Sequence, residues 1–401
     1  MNVKRISGQR TIIDRRVLGE EVTALALAAA DGGRPAVLEA LRRALDQGRS
    51  ELARRLAEAP SAGHDCVGGH SFLIDQIVRV IHDYVTTHLY PASNRTAAER
   101  LAVLAVGGYG RAEMAPHSDV DIAFITPMKR SPWCEQVIEA MLYLLWDLGL
   151  KVGHSSRTVS DTMRLAEEDL TIRTALLEGR LVWGDQALYE ELRARFWAEV
   201  ARGSERQFLT QKLEEREARH KRMGDSRYVV EPNIKDGKGG LRDLQTLYWI
   251  GKYIHRVETA SQLVDVGLFT AAEYRSFRRA EGFLMAVRCH MHIITGRAED
   301  RLTFDLQRQV AEAMQFADRP GKSAVERFMQ YYFLQAKRVG SLSGVFLSAL
   351  DTEFAKKRTR SGFFAGWNQK PRMLKGYVIE AGRIRAPGDD WFAADPVRLI
   401  E

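Results

Sequence analysis

The chain has 401 residues, 45% of them hydrophobic, and a net charge of +7 from 59 basic and 52 acidic residues, which excludes a disordered or fibrous chain and leaves room for two or three domains. Three scattered cysteines, Cys66, Cys134 and Cys289, exclude a disulfide framework. The charged N-terminus and the lack of a long apolar run exclude a secretory signal and a membrane-spanning helix, so a cytoplasmic location is expected, with neither a membrane nor a nucleic-acid partner.

Val37, Leu38, Leu41, Leu45, Leu52 and Leu56 recur at helical spacing and predict a helix over residues 35–60. PSAGHDCVGGH reads as a break. Helical spacing resumes over residues 71–90 through Phe72, Ile74, Ile77, Val80, Ile81 and Val85. Residues 101–106 and 120–125 are apolar runs of strand length. Pro132 opens a helix expected to reach about Leu148, with Gly149 as its stop. KVGHSSRT, residues 151–158, reads as a third strand. Beyond residue 160 the spacing is helical over 160–179, 186–202, 204–222, 241–256, 271–296 and 322–350. One irregular basic segment, VVEPNIKDGKGGLRD at 229–243, interrupts these helices. After about Lys357 the glycine- and aromatic-rich GFFAGWNQKPRMLKGYVIEAGRIRAP points to short strands.

The chemistry concentrates in AVGGYGRAEMAPHSDVDIAFI, residues 105–125. Asp119 and Asp121 stand two apart, so a strand projects both carboxylates to one side and Val120 and Ile122 to the other. Such a pair repels itself unless a hard dication binds, and Mg²⁺ takes oxygen ligands while keeping phosphate oxygens in its shell. Gly107 and Gly108 let the backbone turn sharply and bring N–H groups up to a phosphate, with RAEM as the expected first turn of a following helix. A polyphosphate on that turn, beside a metal on the aspartates, suits nucleotidyl transfer. A dinucleotide fingerprint is excluded by Glu113, which stands where a third glycine is required. A P-loop is excluded by Phe316, which stands where GKS at 321–323 would need its first glycine.

Three further stretches carry reactive side chains. EPNIKDGKGGLRD is either a solvated basic loop or a strap over a nucleotide, with Lys235 and Arg242 on phosphates. In RCHMHIITGRAEDRL, Cys289 and His292 share a helix face, but no second ligand pair at zinc spacing follows. A buried thiol, a hydrogen-bonded histidine and ion pairs among Arg288, Arg297 and Asp300 are expected there. The His-Asp pair at 82–83 lies in an amphipathic helix and reads as structural.

GGYGRAEMAPHSDVDIAFI resembles the polymerase-β-type nucleotidyltransferase motif, and the closer resemblance is to the PII uridylyltransferase branch. VIHDYVTTHLYPAS, LWDLGLKVGHSSRT, EPNIKDGKGGLRDLQTLYWI and RCHMHIITGRAEDRLTFDLQ carry it in order from about residue 70 to beyond 330. The resemblance implies an enzyme of nitrogen regulation that moves UMP from UTP to a tyrosine of the PII protein and releases pyrophosphate. It implies removal of UMP by a separate HD domain and glutamine sensing by ACT domains. Neither of these is in this chain, which is expected to be an N-terminal fragment. It further implies that Gly107 and Gly108 hold the triphosphate, that Asp119 and Asp121 are the catalytic Mg²⁺ ligands, and that Ser118 and Arg111 reach the phosphates. A third acid, common on the next strand of such enzymes, is missing from KVGHSSRT, and spacing leaves Asp147, Glu231 and Asp243 open as substitutes. The expected fold is α+β: an N-terminal helical region (1–95), a nucleotidyltransferase domain with a small mixed sheet (96–185), a helical domain (186–350) and the start of a further segment (351–401). A protein adenylyltransferase of nitrogen regulation and a non-catalytic nucleotide-binding module are the alternatives.

Overall fold

The computed structural model describes residues 6–30, 32–92, 96–127 and 131–360, and three short strands within 372–385. Four strands form one mixed sheet: β1 (Ala102–Ala105), β2 (Val120–Thr126), β3 (Val152–Thr158) and β4 (Arg180–Gly184), in the order β3-β2-β1-β4. β1 runs antiparallel to β2 and β4, and β2 runs parallel to β3. A parallel step needs a crossover, and the helix Pro132–Asp147 supplies it. Pro132 fixes φ at the first helical position, and the Ser131 hydroxyl accepts from Cys134 N–H at 3.2 Å.

Alternation along the strands divides the core in two. Val103, Ala105, Val120, Ile122 and Phe124 face one way, onto the N-terminal helices and the crossover helix. Ala102, Leu104, Ala123 and Ile125 face the other way, onto a layer that includes Phe196, Phe208, Trp249 and Tyr253. Asp121 therefore lies on the second face, and Asp119, which stands just before β2, lines a cavity with it. The sheet is bolted to the first layer by Arg180 of β4. Its guanidinium donates to both oxygens of Asp75, at 2.8 and 2.9 Å, and both side chains are buried.

Some elements depart from the sequence reading. The expected break at PSAGHDCVGGH is the opening of the helix Gly63–Tyr84. The glycine there serves close packing: a Cβ on Gly63 would lie 2.4 Å from both Ala286 N and Gly282 O of the crossing helix Ala271–Thr295. The single helix expected over 160–179 is two, Val159–Glu168 and Leu170–Glu178. Asp169 separates them by capping the second, accepting from Thr171 N–H at 2.6 Å and Ile172 N–H at 3.1 Å. β4 and the helices Arg15–Ala28 and Phe304–Ala313 had no assignment from periodicity. β4 is five residues long, and its pairing with β1 alone makes it a strand.

Residues Met1–Leu347 form one compact unit and Ser348–Glu401 a second, the long helix Ala324–Arg360 starting in the first. In the second unit β5 (Arg372–Leu374), β6 (Tyr377–Glu380) and β7 (Arg383–Arg385) make an antiparallel sheet where short strands were expected. Among the described residues no helix is long and apolar enough to cross a membrane.

Two outcomes follow from this packing. Gly63→Ala forces a methyl against backbone and is expected to lower stability by about 1–3 kcal/mol in chemical denaturation. His70 is buried, which lowers its pKa from 6.5 to about 4 against the opposing hydrogen bond to Cys66 O. The unfolded chain thus binds the extra proton first. Stability is full above pH 6.5 and should fall by about 3 kcal/mol on going to pH 4 through this residue, a loss that denaturant midpoints will show as smaller in His70→Gln.

Candidate active site

β1 delivers the chain to the site, where Val106 N–H still pairs with Asp121 O of β2 at 3.0 Å. Gly107 then adopts φ +59°, a left-handed conformation that side chains resist, and Gly107–Gly110 makes one helical turn. The first bond of that turn is Gly110 N–H to Val106 O at 2.9 Å, so the N–H groups of Gly107, Gly108 and Tyr109 precede its ladder. The turn therefore consists of the glycines themselves. RAEM is not a helix start: Arg111 caps the turn's C-terminus, and Ala112, at φ 59°, carries the chain out of it.

Asp121 sits between two bare stretches of backbone. A Cβ on Gly107 would lie 3.0 Å from its Oδ2, and a Cβ on Gly153, its register partner on β3, would lie 2.5 Å from Oδ1. Burial raises the Asp121 pKa, the charge of Asp119 raises it further, and Lys235 pulls it down. Asp119 is exposed at the mouth. The hydroxyl of Ser118 is buried and has no hydrogen-bond partner. Two carboxylates lining one cavity, of which Asp121 resists ionisation, beside a hydroxyl unpartnered among the described residues, fit a hard cation and its phosphate ligands.

The opposite wall is cationic. Lys235, Arg242 and Arg288 join Gly107, Gly108, Ser118 and both aspartates around a cavity of about 330 Å³. Lys235 arrives on a tight Asx-turned loop, in which Asn233 Oδ1 accepts from Lys235 N–H at 3.0 Å and Asp236 N–H at 2.7 Å, and Arg242 stands in the first turn of the helix Leu241–His255 that follows. Burial lowers the Lys235 pKa and Arg288 lowers it further, while Asp300, 3.9 Å away, opposes both. Arg111 lines the same cavity, but its charge is committed. Nε donates to Glu113 at 2.7 Å and Nη1 to Glu178, so it braces the turn rather than offering a free cation to phosphate.

The three substitutes for a third acid lie elsewhere. Asp147 pairs with Arg34 at 2.8 Å, and Glu231 with Arg301 at 2.9 Å. Asp243 is wholly buried and holds the basic loop. It accepts from Gly239 N–H at 2.8 Å, from His220 at 2.8 Å and from Arg219 at 2.5 Å. Burial would raise its pKa, but His220, then Arg216 and the Gly239 N–H, bring it down to about 2. Among the described residues no cluster of three His, Cys, Asp or Glu side chains is placed to hold a metal. Cys289 is fully buried, and His292 accepts from His117 N–H at 3.3 Å and faces Asp300 at 3.4 Å. Arg288 donates to Asp300 at 2.6 Å, whereas Arg297 pairs with Glu299. His82 and Asp83 are 3.3 Å apart, and Asp83 accepts from Trp183 Nε1 at 2.6 Å.

A second cavity, about 590 Å³, lies across Asp121 from the first and shares Gly107, Asp121 and Arg242 with it. Glu178 and Trp249, which sequence reasoning did not single out, line it. Glu178 accepts from both Arg111 and Trp249 Nε1, so one carboxylate joins the glycine turn, the helix before β4 and the helix Leu241–His255. No spacing signal marks this node, because its members are 67 and 71 residues apart.

A small mixed sheet with a glycine turn after β1 and paired aspartates entering β2 is the architecture of the polymerase-β-type nucleotidyltransferases. Residues 207–347 match the family described as GlnD PII-uridylyltransferase. The chain is 68% identical to a bifunctional uridylyltransferase/uridylyl-removing enzyme of Erythrobacter litoralis, over 100% of this chain and 44% of that protein. It is 65% identical to the one from Novosphingobium aromaticivorans, over 99% of this chain and 43% of the relative. It is 47% identical to the one from Rhodospirillum rubrum, over 100% of this chain and 43% of the relative. The chain belongs to the family of bifunctional uridylyltransferase/uridylyl-removing enzymes and spans less than half the length of these relatives.

The raised Asp121 pKa means that its charged form is less favourable in the fold than in the unfolded chain. Asp121→Asn is therefore expected to raise the melting temperature of the protein at pH 7 in chelator, measured by calorimetry, whereas an unrelated loss of a buried hydrogen bond would lower it.

Proposed function

We propose that this chain transfers UMP from UTP to a tyrosine of the PII protein, with Mg²⁺ as cofactor and pyrophosphate as the leaving product. The observation that carries the reading is the Asp119–Asp121 pair set against the glycine turn, with Lys235, Arg242 and Arg288 across a cavity of about 330 Å³. The names of the relatives, uridylyltransferase in each case, support the donor, and the family description supports the acceptor.

The residues divide the work by position. The N–H groups of the glycine turn and the Ser118 hydroxyl bind non-bridging phosphate oxygens. Lys235 and Arg242 balance the charge of the β- and γ-phosphates, and Asp243 holds their loop in place through Gly239 and Arg219. Asp119 and Asp121 would hold the Mg²⁺, which when bound would supply charge neutralisation for an in-line displacement. With the β,γ end in the smaller cavity, the α-phosphorus comes to the boundary at Gly107 and Asp121, which both cavities share. A phenolic oxygen attacks there and gives up its proton to water, the bond from the α-phosphorus to its bridging oxygen breaks, and pyrophosphate leaves toward the cationic wall.

The chain, PII, labelled UTP and Mg²⁺ should yield PII labelled on one tyrosine, mapped by mass spectrometry. Joint Asp119→Asn and Asp121→Asn substitution should remove at least about 10²-fold of that rate. Label accepted only from ATP, or surviving the double substitution, would refute the proposal. Gly153→Ala is expected to slow labelling about tenfold or more with an unchanged circular dichroism spectrum, because its methyl would lie 2.5 Å from Asp121 Oδ1 and displace that carboxylate.

A further inference from the structure

The larger cavity raises a question that the phosphate site does not answer: what distinguishes one nucleobase from another. Its volume, about 590 Å³, is ample for a nucleoside, and it opens from the boundary where the α-phosphorus is placed. One wall is the helix Glu205–Arg222, from which Lys212, Glu215 and Arg219 line the cavity. They stand three and then four residues apart, which puts them on one helix face.

Their chemistry alternates. Lys212 is 3% exposed, and its ammonium offers only donors. It lies 4.4 Å from the centre of the Trp249 ring and donates to Glu215 Oε2 at 2.8 Å. Glu215 is an acceptor whose side chain is 43% exposed. Arg219 is 5% exposed and donates through Nη2 to Asp243, while its Nε is buried with no hydrogen-bond partner. A buried donor left unmade costs free energy unless something arrives to accept from it. Along the wall the order is donor, acceptor, donor.

We infer that Lys212, Glu215 and Arg219 form a base-selecting wall that reads uracil. The pairing edge of uracil presents carbonyl, N–H, carbonyl, which is acceptor, donor, acceptor, the complement of that wall. Cytosine presents an amino group and an unprotonated ring nitrogen, so it sets donor against Lys212 and acceptor against the Glu215 carboxylate. Adenine makes the same two mismatches. The mismatch at Lys212 falls on a buried donor, the arrangement that rejects analogues most strongly, while the one at Glu215 falls on a half-exposed carboxylate. The inference rests on the uridylyl-transfer reading, because it takes the larger cavity as the nucleoside chamber.

The test is equilibrium binding to the full chain with Mg²⁺, by calorimetry, of UTP, CTP, ATP and inorganic tripolyphosphate. Wild type should favour UTP over CTP and ATP. Glu215→Gln should narrow the UTP-to-CTP ratio about tenfold, since an amide can donate to the cytosine ring nitrogen, and should leave tripolyphosphate binding unchanged. Lys212→Met should narrow it similarly; because Lys212 is buried, its fold is checked by thermal melting, and the half-exposed Glu215 variant decides if it fails. Ratios unchanged within twofold, with tripolyphosphate still bound, would overturn the base-selecting wall alone. Equal weakening of all four ligands would also overturn it, by making the residues structural. A wild type that binds neither UTP nor tripolyphosphate would overturn the phosphate site and this inference together.

Discussion

The Asp121 carboxylate is held where a carboxylate is not at ease. It lies between Gly107 and Gly153, with no Cβ on either side to space it, and with Asp119 two residues away on the same cavity. Burial and that like charge both disfavour its ionised form. The backbone comes this close on both sides because neither glycine has a side chain. Around this concentration of negative charge stand a glycine turn whose first N–H groups precede its ladder, the cationic Lys235, Arg242 and Arg288, and a buried hydroxyl unpartnered among the described residues.

Holding the arrangement in place requires contacts remote in sequence. Glu178 ties the glycine turn, through Arg111, to the helical layer, through Trp249. Asp243 ties the basic loop to the helix Glu205–Arg222. Arg180 and Asp75 fix the sheet to the N-terminal helices. Each is a buried charge held by an oppositely charged or hydrogen-bonding partner, the condition under which such groups are tolerated and under which removing one partner is costly. The helices outside the sheet thus build half of the site and do more than cover a core.

The two cavities on either side of Asp121 differ in character. The smaller is lined by charge of both signs, suited to phosphates and a dication. The larger combines threonines, apolar strand residues and a helix face of alternating donors and acceptors. A nucleoside triphosphate has the same division, with its charge at one end and its hydrogen-bonding pattern at the other. The two cavities meet at Gly107, Asp121 and Arg242, which line both.

Much of this was legible in the chain. Two-residue spacing pointed to one side for Asp119 and Asp121, which both line one cavity although the strand starts only at Val120, and the glycine pair marked a sharp turn because no other residue enters that conformation freely. Long helices were readable from their apolar spacing. The sequence did not disclose that Gly63 lies inside a helix, because its reason is the backbone of another helix pressed against it. It suggested Arg111 as a phosphate ligand, and only the fold brought Glu178 across 67 residues to claim that charge. β4 became a strand through β1, and Trp249 entered the site through Glu178. Local periodicity and turn chemistry are written in neighbouring residues and so can be read from them. Which charges cancel, which glycines give way to a carboxylate and which helix faces a cavity depend on contacts between distant segments, and only the tertiary structure decided those.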